Sequence, residues 1–278
     1  MTPLGISPRR VIVAGQGYVG LPLAMRAVEV GFDVVGFDTD KNRIDCLLDG
    51  TSYIDDVTDG DLSAAARTGR YLPTDDSAAL ADFDVRVVCV TTPLRNGTPD
   101  LSYVEAAAGT IAPHITLGSC VILESTSYPG TTEEVFAPIL EAGSGLSAGR
   151  EFSVGYSPER IDPGNGIWRI PNTPKIISGV SECSLRAVHE IYGRLVERTV
   201  PVSGTREAEL AKLLENTFRH VNIALINELA MYCHGVGIDV WSVIDAAATK
   251  PFGFMAFTPG PGVGGHCLPV DPSYLSSR

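Results

Sequence analysis

Cys267 lies in Pro259-Gly-Pro-Gly-Val-Gly-Gly-His266-Cys267-Leu-Pro-Val-Asp271-Pro, a glycine- and proline-rich stretch that predicts a loop with exposed backbone amides. A thiolate in so polar a setting can attack an aldehyde carbon. The chain has six cysteines, at 46, 89, 120, 183, 233 and 267, with no Cys-x-x-Cys pair and no Cys/His spacing of a zinc site. The other five read as small buried hydrophobes, and the whole set as reduced thiols of a cytoplasmic protein. Asp271 follows Cys267 at i+4, while His266 directly precedes it and reads as structural, because adjacent side chains often point apart.

A second constellation, Gly15-Gln16-Gly17-Tyr18-Val19-Gly20, follows an apolar run at 10–15 and opens a helical pattern at 18–30. That context suits a pyrophosphate. The first glycine allows the tight turn, the second lets the backbone approach the ligand, and the third lets the helix pack close on the strand. The helix N-terminus then faces the phosphates. Asp38 stands 18 residues beyond Gly20, at the end of a second run at 32–37. A carboxylate there accepts from a ribose 2′-hydroxyl and repels a 2′-phosphate, so the pattern predicts NAD rather than NADP; the plainer reading is a tight strand–helix turn.

Lys212, Asn216 and Arg219 fall at i, i+4 and i+7 and share one helix stripe. Such a stripe can hold an alkoxide, a water and an anionic group, or it can be a solvated charged face. Thr91-Thr92-Pro93, Glu124-Ser-Thr126 and Ser157-Pro-Glu159-Arg160 each follow an apolar run. Each alone is turn chemistry. Together they rim one crevice at the carboxyl ends of parallel strands.

The elements that must position these groups are strands and helices in alternation. Runs at 85–90, 120–123 and 152–154 read as the third, fourth and fifth strands, with helical patterns such as 101–111 and 131–140 between them. This predicts an α/β fold, a Rossmann-like doubly wound parallel sheet, over residues 1–200. From Thr205 to about 235 the pattern is one long helix of ~45 Å, with Leu210, Leu213, Leu214, Phe218, Val221, Ile223, Leu225, Ile226 and Leu229 on a wide apolar face. A short helix at 240–248 and the loop at 250–271 complete an all-α connecting domain over 201–278.

The chain has 278 residues, 44% apolar and 19% charged, enough apolar side chain for a real core. Its charge sum, 21 − 33 = −12, argues against a nucleic-acid binder. It has no apolar stretch of the ~18 residues that a membrane span needs. The N-terminus shows neither the long apolar region nor the cleavage site of a signal peptide.

Taken in order, the motifs G-Q-G-Y-V-G-L-P-L-A, D-T-D, T-T-P, E-S-T, S-P-E-R-I, K-L-L-E-N-T-F-R and G-V-G-G-H-C-L-P-V-D-P resemble the UDP-glucose/GDP-mannose dehydrogenase family of nucleotide-sugar 6-dehydrogenases. The resemblance runs from about Val11 to the end. Within the family, S-P-E-R, N-T-F-R-H-V-N-I-A and P-G-P-G-V-G-G-H-C are most similar to UDP-N-acetyl-D-mannosamine and UDP-N-acetyl-D-glucosamine 6-dehydrogenases. UDP-glucose enzymes typically follow the cysteine with a Lys-Asp pair, whereas here Val270 precedes Asp271.

The resemblance implies a four-electron oxidation of a sugar CH2OH to a carboxylate, in two hydride transfers to NAD. Cys267 would be the nucleophile, forming a thiohemiacetal and then a thioester that water releases. Lys212 would stabilise the oxyanion or act as an acid/base group on the C6 oxygen, and Asn216 would help form the oxyanion hole. Asp271 would orient or deprotonate water, with Thr126 and Glu159 beside it. Glu159, Arg160, Lys212, Asn216, Arg219 and Gly264 would face the UDP-sugar. Gly15 to Gly20, Asp38, Arg43, Thr92, Pro93 and Thr126 would face NAD, with Arg43 near the adenosine. The resemblance also implies a homodimer through the 205–235 helix. Family members continue far beyond the cysteine motif into a further nucleotide-fold domain, so the expectation is that this domain is absent. Two rival readings follow. One is a non-catalytic remnant, or half of a split enzyme, that binds NAD and dimerises. The other is a 3-hydroxyacid-type dehydrogenase that does not need Cys267.

Overall fold

The computed structural model describes residues 9–161, 166–264 and 270–275. The strands of its large sheet are β1 (Arg10–Ala14), β2 (Asp33–Phe37), β3 (Tyr71–Thr74), β4 (Val85–Val88), β5 (Cys120–Leu123), β6 (Ser153–Tyr156), β7 (Lys175–Gly179) and β8 (Thr199–Pro201). The helices are α1 (Gly20–Glu29), α2 (Lys41–Leu48), α3 (Asp59–Arg67), α4 (Ser102–Ile111), α5 (Ala137–Ser144), α6 (Glu182–Leu195), α7 (Thr205–Val236), α8 (Val240–Ala248) and α9 (Asp271–Leu275). The strands form one sheet in the order β8-β7-β6-β5-β4-β1-β2-β3. The six from β3 to β6 are parallel, in the 3-2-1-4-5-6 order of a dinucleotide fold.

The continuous apolar strands follow from burial on both faces. Ile12, Ala14, Val88, Val121 and Leu123 point to one face, under Val104 and Ile111 of α4 and Leu140 of α5. Their neighbours Val11, Val13, Val87 and Ile122 point to the other, under Leu23 and Ala27 of α1 and Ile191 and Leu195 of α6. Alternation along each strand thus feeds two cores, and no position in the middle strands is left for a solvated side chain.

Two details differ from the sequence reading. Tyr71–Thr74 is an additional strand, so the run at 85 is the fourth strand and those at 120 and 152 the fifth and sixth. Pro73 and a mixed burial pattern hide it, and its edge position is where a proline is tolerated. The sheet is also not wholly parallel: β7 pairs antiparallel with β6, and β8 lies parallel to β7. The helical pattern at 131–140 resolves into a π-type turn at Thr132–Phe136 that runs into α5.

Arg86 of β4 is fully buried at the amino edge of this sheet. Its guanidinium donates to the carbonyls of Phe83 (2.7 Å), Leu80 (3.3 Å) and His114, and to Ser119 Oγ (3.3 Å). Burial lowers its pKa to about 10, but the guanidinium stays charged: the four acceptors replace water at Nη1 and Nη2, while Nε is buried without a partner among the described residues.

The chain divides into two compact units, one over 1–95 and 99–212, the other over 96–98 and 213–278, so the division falls inside α7. In the second unit Ile226, Cys233, Val240 and Ile244 form a small core with Leu229, Ala230 and Phe257. Phe218 meets Phe257 edge to face at 5.9 Å between centroids. The wide apolar face of α7 splits in two: Leu213 and Ile226 are buried, while Leu210, Leu214, Phe218, Val221 and Leu225 are exposed.

Candidate cofactor and catalytic site

The glycine turn leads from β1 into α1. Gly15 has φ +94°, a left-handed conformation, and a Cβ there would lie 2.6 Å from the Cys89 carbonyl oxygen. A Cβ on Gly20 would lie 1.8 Å from the Gly15 carbonyl oxygen. Gly17 is different: a Cβ there would meet only Arg43 Nη1, at 3.9 Å. The protein's own packing therefore demands glycine at 15 and 20, and leaves the space beside Gly17 for a ligand. No side chain caps α1 and no acidic residue stands in its first turn, so no protein anion sits at the positive end of its dipole; within that turn the Leu21 N–H donates to the Gly17 carbonyl at 3.1 Å and Pro22 has no N–H.

Asp38 ends β2 and is almost buried. Its Oδ2 accepts from the Gln16 backbone N–H at 2.7 Å and from Arg43 Nη1 at 3.2 Å, and its Oδ1 accepts from the Asp40 N–H at 2.9 Å. The carboxylate is thus held in one orientation by the protein's own donors. Beside it, Phe37, Val90, Tyr103, Ala107 and Ile111 bound a pocket, whose apolar walls and acidic rim suit an adenosine. Gln16 turns its side chain inward: Nε2 donates to the Val13 carbonyl at 2.8 Å, and Oε1 accepts from Tyr71 Oη at 2.8 Å. Tyr53 Oη donates to the Gln16 carbonyl at 2.6 Å. Gln16 therefore shapes the turn from within, Tyr18 is exposed, and Val19 is half-buried. Thr92, Pro93 and Thr126, also half-buried, follow β4 and β5 at the carboxyl edge.

The same edge carries a buried charge cluster that sequence reasoning missed. Lys175, the first residue of β7, donates to Glu124 and, at 2.9 Å, to Glu159 Oε2. Glu159 Oε1 accepts from the Arg160 and Ile161 N–H groups at 2.6 and 2.7 Å. Arg160 Nη1 donates to the Pro174 carbonyl at 2.7 Å. A lysine opening the apolar run Lys175-Ile-Ile was the available signal, since a buried cation implies a buried carboxylate.

Glu209 sets the start of α7. It is fully buried and accepts from the Gly130 N–H (2.6 Å), the Thr132 N–H (2.8 Å) and Thr132 Oγ1 (2.6 Å). It thereby places negative charge at the start of the π-type turn, where the helix dipole favours it. Burial raises its pKa to about 6 despite those donors. Glu209→Ala leaves two amides and a hydroxyl without an acceptor, and is expected to lower the unfolding free energy by about 2–3 kcal/mol in urea titrations. An unchanged midpoint and slope would show that the carboxylate does not hold the helix.

Lys212 lies three residues further along α7, also buried. In the second unit, Asn216 Nδ2 donates to Asp271 Oδ2, and both residues are buried. Two groups that the sequence reading assigned to one reaction, 55 positions apart, are thus in direct contact. Arg219 and Gly264 are exposed. Cys267 and His266 lie outside the described residues.

Residues 9–196 match the family model described as UDP-glucose/GDP-mannose dehydrogenase family, NAD binding domain, and residues 206–278 match its central domain. The chain belongs to this family. It is 41% identical over 270 residues to a UDP-N-acetyl-D-mannosamine dehydrogenase of Pyrococcus horikoshii, covering 97% of this chain and 64% of that protein. It is 42% identical over 273 residues to a UDP-N-acetyl-D-glucosamine 6-dehydrogenase of Pseudomonas aeruginosa, covering 97% of this chain and 63% of that one. The solved structure of the Pyrococcus horikoshii UDP-D-ManNAc dehydrogenase superposes with a TM-score of 0.92 at 41% identity, over 97% of this chain and 64% of that one. The chain thus spans somewhat less than two thirds of the length of these relatives.

The glycine turn, the uncapped α1 and Asp38 therefore lie in the NAD-binding domain of a UDP-glucose/GDP-mannose dehydrogenase family member, and the free space at Gly17 fits its pyrophosphate. Asp38→Ala is expected to raise the Kd for NAD tenfold or more, about 1.4 kcal/mol, in calorimetry on this 278-residue chain. Unchanged affinity would remove Asp38 from the binding site.

Proposed function

We propose that this chain carries the cofactor-binding and catalytic core of a nucleotide-sugar 6-dehydrogenase acting on a UDP-N-acetylhexosamine. The observation that carries the reading is the buried contact between Asn216 and Asp271, in a chain whose other half is the family's NAD-binding domain. The glycine turn and Asp38 would hold NAD, which would supply the acceptor for the hydride leaving C6. Lys212 holds or moves the proton on the C6 oxygen. The Cys267 thiolate adds to the resulting aldehyde, and loss of a second hydride from that adduct, for which a second NAD would be the acceptor, leaves a thioester. Asn216 donates to the oxyanion, a role its amide suits. Asp271 orients the water that frees the uronate and the thiol, with Thr126 and Glu159 assisting. Arg160, Arg219 and Gly264 face the nucleotide sugar, and Arg43, Thr92 and Pro93 face the cofactor.

The exposed stripe Leu210, Leu214, Phe218, Val221 and Leu225 supports a homodimer through α7, since apolar side chains repeated along one helix gain from a partner. None of the described helices is long and apolar enough to cross a membrane; a cytoplasmic location is part of this proposal.

The test is NADH production by the purified chain with UDP-N-acetylmannosamine, UDP-N-acetylglucosamine and UDP-glucose in parallel. Turnover with an N-acetylhexosamine, together with recovery of the uronate, supports the reading. Turnover only with UDP-glucose would overturn the substrate assignment. No turnover, with NAD still bound, would favour the second reading: a cofactor-binding part that needs further chain. The coverage of under two thirds of each relative motivates that alternative.

A further inference from the structure

The cluster around Lys175 contains one cation and two carboxylates in an almost dry site: the side chains of Lys175, Glu124 and Glu159 are 6%, 0% and 15% exposed. Two charged carboxylates would leave one uncompensated negative charge, which burial disfavours. The surroundings of the two acids differ. Glu124 Oε2 accepts only from neutral donors, Tyr192 Oη of α6 at 2.7 Å and Cys89 Sγ, just after β4, at 3.8 Å. Glu159 Oε1 is locked by two backbone amides. The Tyr192 ring lies 5.3 Å from Lys175 Nζ. These residues, from β4, β6, β7 and α6, are the titratable and charged groups that face Glu124.

We propose that Lys175 and Glu124 are a positioning pair for Glu159: Lys175 holds the Glu159 carboxylate ionised and in one orientation at the carboxyl edge of the sheet, and Glu124 carries the proton that keeps the cluster neutral.

The electrostatics divide the two acids in that sense. Burial raises the pKa of Glu124 to about 7, against the attraction of Lys175. Burial would raise Glu159 too, but the charge and hydrogen bond of Lys175, with further bonds from Glu124 and the Ile161 amide, hold it well below the usual carboxylate range. Two carboxyls driven apart in this way take different roles, one a neutral acid and one a fixed anion. Glu124 also lies two residues before Thr126, and Ser125 Oγ between them donates to the Val90 carbonyl at 2.7 Å. The pair therefore fixes the loop that carries Thr126 as well as Glu159. The proposal takes the purpose of Glu159 from the proposed reaction, but the cluster itself does not depend on it.

The test is NMR titration of the full chain with 13C-labelled glutamate carboxyls, with Glu124→Gln and Glu159→Gln identifying the two signals. Glu124 is expected to titrate near neutrality, and Glu159 to stay ionised down to the acid limit of folding. In Lys175→Met the Glu159 midpoint should rise by about two units or more, and Lys175→Arg should restore it. If Lys175→Met does not fold, Lys175→Met/Glu124→Gln, which puts a neutral amide in the place of the protonated acid, carries the same test of Glu159. A Glu159 midpoint unmoved by loss of Lys175, or a Glu124 ionised throughout the neutral range, would overturn the proposal. In turnover, Glu124→Gln should remove an inflection near neutrality from the kcat profile. Lys175→Met should lower kcat about a hundredfold with little change in the sugar KM, and Lys175→Arg should recover most of it. Equal losses in both variants with an unchanged pH profile would mean a merely structural cluster. The titrations need no turnover, so failure of the reaction and failure of the positioning pair are read separately.

Discussion

Gly20→Ala is expected to destabilise the NAD-binding domain by about 3 kcal/mol or more. The added Cβ would lie 1.8 Å from the Gly15 carbonyl oxygen and 3.2 Å from Cys89 Cβ. The first of these is a backbone atom in a turn whose own geometry is fixed by a left-handed Gly15. Relief would require α1 to lift away from β1, separating Leu23, Ala24 and Ala27 from Val11 and Val13 in the same core. A fall in melting temperature of roughly 6–12 °C should accompany it, together with weaker NAD binding. Gly17→Ala provides the contrast. Its Cβ meets no close protein atom, so stability should be nearly unchanged while NAD affinity falls. A Gly20 variant as stable as the parent would mean that α1 does not pack this closely on the glycine turn.

Cys267→Ser is expected to reduce uronate formation at least about a thousandfold, because a hydroxyl in place of the thiol is a far weaker nucleophile at neutral pH and the thioester cannot form. The experiment follows the uronate itself by mass spectrometry as well as NADH. NAD affinity should stay at the parental value, since the glycine turn and Asp38 belong to a different part of the sequence from the cysteine loop. Uronate produced at the normal rate would overturn the covalent route and favour a dehydrogenase that needs no thiol.

What could be read in the sequence was what local pattern encodes. Two-sided burial makes apolar runs, so β1, β2, β4 and β5 announce themselves. The glycine spacing and Asp38 do so too, because the turn and the end of β2 impose their own residue types. The long helix is legible because its apolar spacing persists from Thr205 to Val236. What stayed hidden depends on partners distant in the chain. Tyr71–Thr74 is a strand because β2 is there to pair with it, despite Pro73. The reversal at β7 is set by its pairing with β6, which no residue type marks. Gln16 looks like one more ligand-facing position until Tyr53 and Tyr71 are seen to hold it. Glu124 and Lys175, 51 residues apart, have meaning only as a pair. For the candidate site, the sequence picked out Asn216 and Asp271 singly, and the fold supplied their contact.

The bonds of Arg86 have a consequence for how this architecture can vary. A single side chain gathers the segments that precede β4 and β5 at one end of the sheet. Changes in length there would break several bonds to one buried cation at once. The opposite end has no such tie to Arg86, so the segments after β4, β5 and β6 can be lengthened or exchanged without disturbing it. The two edges are therefore free to vary independently, and the edge at Arg86 keeps the strands in register. For an engineer, the segments around Phe83 and His114 are those to leave alone, and a change at the other edge has to spare Glu124, Glu159 and Lys175, which tie the segments after β5 and β6 to β7.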